Sequence, residues 1–168
     1  MKIAITGRPG IGKTTACMKV YSALKDRLSV KGFITAEIRE GGVRSGFTIK
    51  ELHTDFSRVL ARREDGFPRV GKYRVYLDSL DEISERIERY MDADLIIIDE
   101  VGLMELKSRA FVNAVSMLID SGSNLLFTVH YRSSHHLAER IRREFDLITL
   151  TEESRNRIVQ DVVIKFDS

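Results

Sequence analysis

The chain has 168 residues, 43 % hydrophobic and 31 % charged, with two prolines, which suits one domain with a sizeable core and shows no compositional mark of disorder. A net charge of +2 is too near neutral to argue for a dedicated nucleic-acid binder, so nucleic acid stays open as a partner without support. The single cysteine, Cys17, excludes an internal disulfide, the apolar runs Leu95–Ile98 and Leu125–Val129 are too short for a bilayer, and no charged leader precedes the first strand pattern, so a reducing, cytoplasmic setting without membrane is expected.

The first apolar run, Lys2 to Thr6, ends at Gly7, and Ala16, Val20, Leu24 and Leu28 then recur every fourth residue. Strand, glycine loop and a helix over Thr14 to Leu28 follow from that spacing. Val30 to Ile38 and Phe47 to Leu52 flank Gly41-Gly42 and predict an antiparallel hairpin. A second hairpin-like stretch runs through Ser57 to Ala61 and on to Tyr73 to Leu77. Leu80, Ile83, Ile87 and Met91 mark one helix face, leading into Leu95-Ile96-Ile97-Ile98, whose unalternating apolarity belongs in a parallel sheet covered on both sides.

The pattern repeats beyond it. Phe111, Val115 and Leu118 lie on a helix, Leu125 to Val129 form a strand, Leu137 and Ile141 lie on a helix, Leu147 to Leu150 form a strand, and a last helix spans Ser154 to Ile164. Strands alternating with helices imply an α/β, doubly wound, mostly parallel sheet with a β-hairpin excursion after the first helix, in one domain over 1–168. Ligands of such sheets sit beyond the carboxyl ends of the strands.

Gly7-Arg8-Pro9-Gly10-Ile11-Gly12-Lys13-Thr14 matches G-x-x-x-x-G-K-[ST] at every fixed position, between a predicted strand and a predicted helix. Glycines let successive backbone N–H groups turn inward toward phosphate oxygens, and the following helix adds its positive end. Lys13 can reach the β- and γ-phosphates, the Thr14 hydroxyl is placed to ligate Mg²⁺, and Thr15 falls near the α-phosphate. A plain glycine turn would produce this match by chance on the order of once in a hundred chains or less.

Asp99-Glu100 follows the apolar strand. A carboxylate at that depth is costly unless it faces a cation or hydrogen-bond donors, so Asp99 is assigned to the Mg²⁺ shell as the Walker B acid. Glu100, pointing differently, is placed to orient and deprotonate the attacking water. The plainer reading is that both acids cap the next helix.

Four passages resemble a family of small P-loop nucleoside-triphosphatases first described from hyperthermophiles, which has a human cancer-related member. They are Gly7 to Thr14, the glycine hairpin Gly42 to Phe47, the block Asp99-Glu100-Val101-Gly102-Leu103-Met104-Glu105-Leu106-Lys107-Ser108, and Asn156-Arg157 after Thr151. The resemblance implies a doubly wound core with a β-rich excursion. It also implies Mg²⁺-dependent hydrolysis of ATP, GTP and other nucleoside triphosphates with weak base discrimination. It places Leu95 to Gly102 opposite the phosphate loop, so that Asp99, Glu100 and Gly102 line the site, and adds Arg157 to the nucleotide-binding set. The stretch from Thr151 to Arg157 is longer than the family's usual spacing.

Among cations that could meet charge developing on the γ-phosphate, Arg8, Arg44, Lys107 and Arg157 are available. Arg44 ranks first because Gly42 and Gly46 flank it in a hairpin able to fold over a nucleotide, although a surface salt bridge is the commoner role of such a residue. His130 ends a strand where it could approach the γ-phosphate. Tyr73, Tyr76 and Tyr131 could stack on a base, yet exposed tyrosines are common. His135-His136 starts a helix and, without cysteines, does not predict zinc. Two other readings stand beside hydrolysis. The same cradle serves a small kinase acting on a nucleotide, metabolite or RNA end, for which Arg140 to Arg143 would be the nearest thing to a lid. It also serves a nucleotide-dependent switch with an unknown protein partner.

Overall fold

A computed structural model describes residues 1–168. In chain order the strands are β1 (Lys2–Thr6), β2 (Val30–Glu40), β3 (Val43–Glu51), β4 (Ser57–Arg62), β5 (Arg69–Val70), β6 (Tyr73–Val75), β7 (Leu95–Val101), β8 (Leu125–Val129) and β9 (Asp146–Thr149). The helices are α1 (Lys13–Leu24), α2 (Leu77–Ile87), α3 (Arg109–Asp120), α4 (His136–Glu144) and α5 (Arg155–Asp167). All nine strands join one sheet in the order β5-β6-β4-β3-β2-β7-β8-β1-β9.

The expected doubly wound core is present. β2, β7, β8, β1 and β9 pair in parallel, and the uniformly apolar Leu95 to Ile98 is fully buried, as a strand covered on both faces must be. Helices α1 and α5 cover one face, with Ala16, Val20, Leu24, Ile158 and Val162 in its core. Helices α2, α3 and α4 cover the other, with Leu80, Ile83, Phe111, Val115, Leu118, Leu137 and Ile141 in a larger core.

The β-rich excursion is continuous with this sheet. β2 pairs in parallel with β7 over Val30 to Phe33, then runs on antiparallel to β3 as far as Glu40. β3, β4, β6 and β5 extend the antiparallel flank. The excursion therefore supplies four strands beyond β2, more than a single hairpin.

Three helix ends differ from the periodic reading, α5 running on to Asp167 where Ile164 was expected. Helix α1 ends at Leu24, short of Leu28. Helix α2 ends at Ile87 and gives way to a 3₁₀ turn at Tyr90–Asp92 that buries Tyr90 and leaves Met91 42 % exposed. The reason is polar: the Tyr90 hydroxyl donates to Glu51 at 2.5 Å, a long-range contact invisible to a four-residue spacing.

Candidate active site

The loop Gly7–Gly12 leaves the carboxyl end of β1 and enters α1. Gly12 precedes the helix with φ 111°, a conformation that costs a side-chain-bearing residue but not glycine. The first turn of α1 holds no acid, so its free amides keep their positive end for an anion. Ile11, only 3 % exposed, plugs the loop into the α1/α5 core. The Lys13 ammonium lies along the loop, donating to the carbonyls of Gly7 at 2.9 Å and Arg8 at 3.3 Å.

Across from the loop, the side chain of Asp99 is held by hydroxyls. Thr14 Oγ1 donates to its Oδ2 at 2.6 Å and Thr128 Oγ1 to its Oδ1 at 2.6 Å, while Thr35 donates to its backbone carbonyl at 2.9 Å. Because β8 lies between β1 and β7, Thr128 sits under both halves of the site. Asp99 is 1 % exposed. Burial raises its pKa above the ordinary value, with the three threonines and Lys13 pulling the other way.

Glu100 follows through a cis peptide and is less deeply buried. Burial, then the neighbouring Asp99, pushes its carboxyl up to about 7, against the pull of Lys13. A Cβ on Gly102 would come within 2.6 Å of Glu100 Oε1, so the glycine makes room for that carboxylate. Glu105, 3 % exposed in a 3₁₀ turn over Glu105–Lys107, is a third acid of this wall. Thr35 Oγ1 lies 3.4 Å from it, and burial followed by Glu100 pushes its pKa well up.

The structure thus gathers Gly7, Lys13, Thr14, Asp99, Glu100 and Gly102 around the carboxyl ends of β1 and β7. Thr15 joins Gly12, Lys19, Arg155 and Asn156 in lining a cavity of about 300 Å³ on the outer side of the loop. Arg157, three positions along α5 from Ser154, lines a different cavity with Ile148, Asp161 and Lys165, so the residues brought beside the loop are Arg155 and Asn156. Arg8 pairs with Glu152 at 2.8 Å on the surface.

Arg44 is engaged within the excursion. Its Nε donates to the Tyr73 hydroxyl at 2.9 Å, its Nη1 lies 3.5 Å from Glu37, and its guanidinium stands over the rings of Phe47 and Tyr73. Tyr76 is tied to Glu64 and Tyr131 carries the Arg132 guanidinium. The Arg140–Arg143 cluster is structural: Arg140 pairs with Glu144 and Asp120, and Arg142 donates to the carbonyls of Ser133 and His130. That clamp fixes His130 at the end of β8, where its Nδ1 accepts from Arg132 N–H at 3.2 Å. Burial and then Lys13 lower its pKa, and because Nδ1 accepts, the neutral ring carries its proton on Nε2.

Thr35 and Thr128 went unmentioned in the sequence, while Glu105 entered only within the block Asp99 to Ser108 and Arg142 only within the Arg140 to Arg143 cluster, neither with the role it has here. Thr128 had a signal, being the polar residue in the apolar run Leu125 to Val129. The partners of Thr35 and Arg142 lie 64 and 9 to 12 residues away, and no local pattern points to them.

Comparison with known proteins agrees with this architecture. A family model described as NTPase matches residues 2–163. A protein named nucleoside-triphosphatase THEP1 from Archaeoglobus fulgidus is 51 % identical over 162 residues, covering 96 % of each chain. One of the same name from Methanosarcina barkeri is 44 % identical, with 99 % of this chain and 97 % of the relative covered. Among solved structures, the crystal structure of THEP1 from Aquifex aeolicus superposes with a TM-score of 0.87 at 35 % identity over the full length of both chains. The solution structure of a human cancer-related nucleoside triphosphatase gives 0.81 at 32 % identity, covering 98 % and 96 %.

Proposed function

The chain belongs to the NTPase family, and from that premise we propose that it is a magnesium-dependent nucleoside-triphosphatase releasing the terminal phosphate of ATP, GTP and other nucleoside triphosphates at the Gly7–Thr14 loop. The observation that carries this reading is the hydrogen bond from Thr14 to Asp99 at 2.6 Å. It joins a phosphate loop on β1 to a buried carboxylate on β7, two strands that are not neighbours in the sheet.

The donor set suits magnesium. No group of three or more His, Cys, Asp or Glu side chains converges as a self-sufficient metal cage, and a hard cation that keeps its waters and takes phosphate oxygens requires only one or two protein oxygens. Asp99 and Thr14 supply them. Magnesium bound there would neutralise charge on the β- and γ-phosphate oxygens.

The chain's own residues do the rest. Loop amides and the start of α1 bind the polyphosphate, and Lys13 exchanges its carbonyl partners for phosphate oxygens. Glu100, next to Asp99 but with its carboxylate over Gly102, orients the attacking water and accepts its proton. His130, with Nδ1 occupied, is left with Nε2–H as its ring donor at the end of β8. The cavity lined by Gly12, Thr15, Lys19, Arg155 and Asn156 contains no aromatic ring and no acid, which supports weak discrimination among bases. Arg44 is left out of this reading because its guanidinium is held by Tyr73 and Glu37. No helix is long and apolar enough to cross a membrane.

Inorganic phosphate released from ATP, GTP, CTP and UTP, with magnesium or with a chelator, tests the proposal. All four are expected to turn over within about 100-fold of one another, and only with the metal, since pocket contacts of this kind separate substrates by ~1 to 3 kcal/mol at most. Release that ignores chelation, or that Lys13→Ala leaves intact, sinks it.

A further inference from the structure

The far edge of the sheet and the loop after β8 stand six places apart in the strand order, yet they meet. Arg69 and Val70 of β5 line one cavity of about 460 Å³ with Leu103, Leu106 and Lys107 from the segment following the acid pair, and with Arg132 to His135 from the loop following His130. The outer edge of the excursion therefore approaches the segments that follow β7 and β8 and shares with them a second concavity, whose lining has no residue in common with the cavity lined by Gly12 and Asn156. Its volume falls in the range of small-molecule sites, roughly 300 to 1,000 Å³.

The lining has a definite chemistry. Arg69, Lys107 and Arg132 bring three cations to it, and no acid lines it. None of the three is ion-paired, in a chain whose other arginines form many such pairs. Arg69 is held by backbone, donating to the carbonyls of Glu64 at 2.9 Å and Gly66 at 3.4 Å, groups that fix a guanidinium without cancelling its charge. The Arg132 guanidinium lies over the Tyr131 ring, 4.9 Å from its centre. Val70, Leu103 and Leu106 form an apolar wall, on which Leu103 is 42 % exposed. The loop carrying Arg132 and Ser133 is held rigid by Arg142, so the concavity is preformed.

We propose that this cavity is a second ligand site, distinct from the phosphate loop, that takes a small phosphate monoester carrying an apolar or aromatic body, of the size of a nucleoside monophosphate. The unpaired guanidinium groups and Lys107 meet the dianionic phosphate, and the leucines and valine cover the body. A nucleic acid is disfavoured because the three cations gather at one pocket instead of forming a stripe, and the chain's net charge is only +2.

The proposal goes beyond the reading of the phosphate loop and is tested independently of it. Protein carrying magnesium and a non-hydrolysable ATP analogue is titrated with AMP, following the methyl resonances of Val70, Leu103 and Leu106; the same titration without the analogue keeps the result meaningful should the loop not bind it. Saturable shifts at these methyls are expected, with an affinity at least tenfold above that for inorganic phosphate, and weakened at least tenfold by Arg132→Glu and separately by Lys107→Glu. Both substituted side chains are exposed, and an unchanged methyl spectrum outside the cavity confirms that each variant is folded. Absence of saturation at these methyls, equal binding of AMP and inorganic phosphate, undiminished binding in both charge-reversed variants, or tighter binding of a single-stranded oligonucleotide than of AMP each overturns it.

Discussion

Two buried carboxylates, Asp99 under the phosphate loop and Glu51 under the excursion, show how differently one chain can treat the same group. Both are almost wholly withdrawn from water. Glu51 accepts two hydrogen bonds from Arg86, at 2.8 and 2.6 Å, one from Tyr90 at 2.5 Å and one from Thr54. Burial by itself would raise its pKa, but Arg86, Thr54 and Tyr90 outweigh burial and hold it at about 2. Asp99 receives only hydroxyls on its carboxylate, from Thr14 and Thr128, and burial leaves its pKa raised. A buried acid neutralised by an arginine is finished as a structural element. One surrounded only by hydroxyls has no fixed counter-charge, which costs stability and which, on the proposed function, a hard cation would supply.

The largest effect that can break this contrast is Asp99→Asn. Magnesium-dependent phosphate release is expected to fall roughly 1000-fold, while the melting temperature stays the same or rises, because a poorly compensated buried charge has been removed. A large drop in melting temperature would make Asp99 a structural acid like Glu51.

Glu51→Gln is the mirror experiment. It leaves Arg86 and Tyr90 facing a neutral amide and is expected to cost about 3 kcal/mol, or roughly 6 to 12 °C in melting temperature, with nucleotide affinity unchanged. The pH dependence has a definite sign. A pKa depressed from the ordinary 4.5 to about 2 stabilises the fold above pH 4.5, and that stability is lost as pH falls from there toward 2. Parent and variant melting curves should therefore converge over that interval; a constant gap would remove the linkage.

Glu100→Gln sharpens the comparison within the site, since Glu100 borders Asp99 yet is assigned to water instead of metal. Phosphate release should drop by about 100-fold or more with analogue binding kept within threefold of the parent. Equal loss of binding and turnover would move Glu100 into the metal shell. The smallest effect is expected from Arg44→Ala, whose guanidinium bonds Tyr73 and Glu37 on the excursion: about 0.5 to 1 kcal/mol of stability and phosphate release within threefold. A loss of ~1000-fold would instead show the hairpin delivering a transition-state cation.

Much of the fold was legible from residue order because its signals are local. Gly7 to Thr14 states its loop conformation through glycines at fixed spacing, all within eight positions. The unbroken apolarity of Leu95 to Ile98 announces a strand covered on both faces, and alternation of strands with helices then leaves few topologies open. Helix ends were less legible: Met91 kept the four-residue spacing, but the distant Glu51 drew Tyr90 inward in its place.

By itself, the order of residues determined the glycine loop between β1 and α1, the acid pair near the carboxyl end of β7 and the doubly wound class, because each is written in neighbours along the chain. Tertiary structure alone decided that Thr128 and Thr35 support Asp99, that Arg155 and Asn156 lie beside the loop while Arg157 turns away, that Arg44 is held by Tyr73, and that β5 shares a concavity with Arg132. Those facts depend on which strands become neighbours and how far the sheet bends, and hydrogen bonds or cavities formed across dozens of intervening residues leave no periodic trace in the chain.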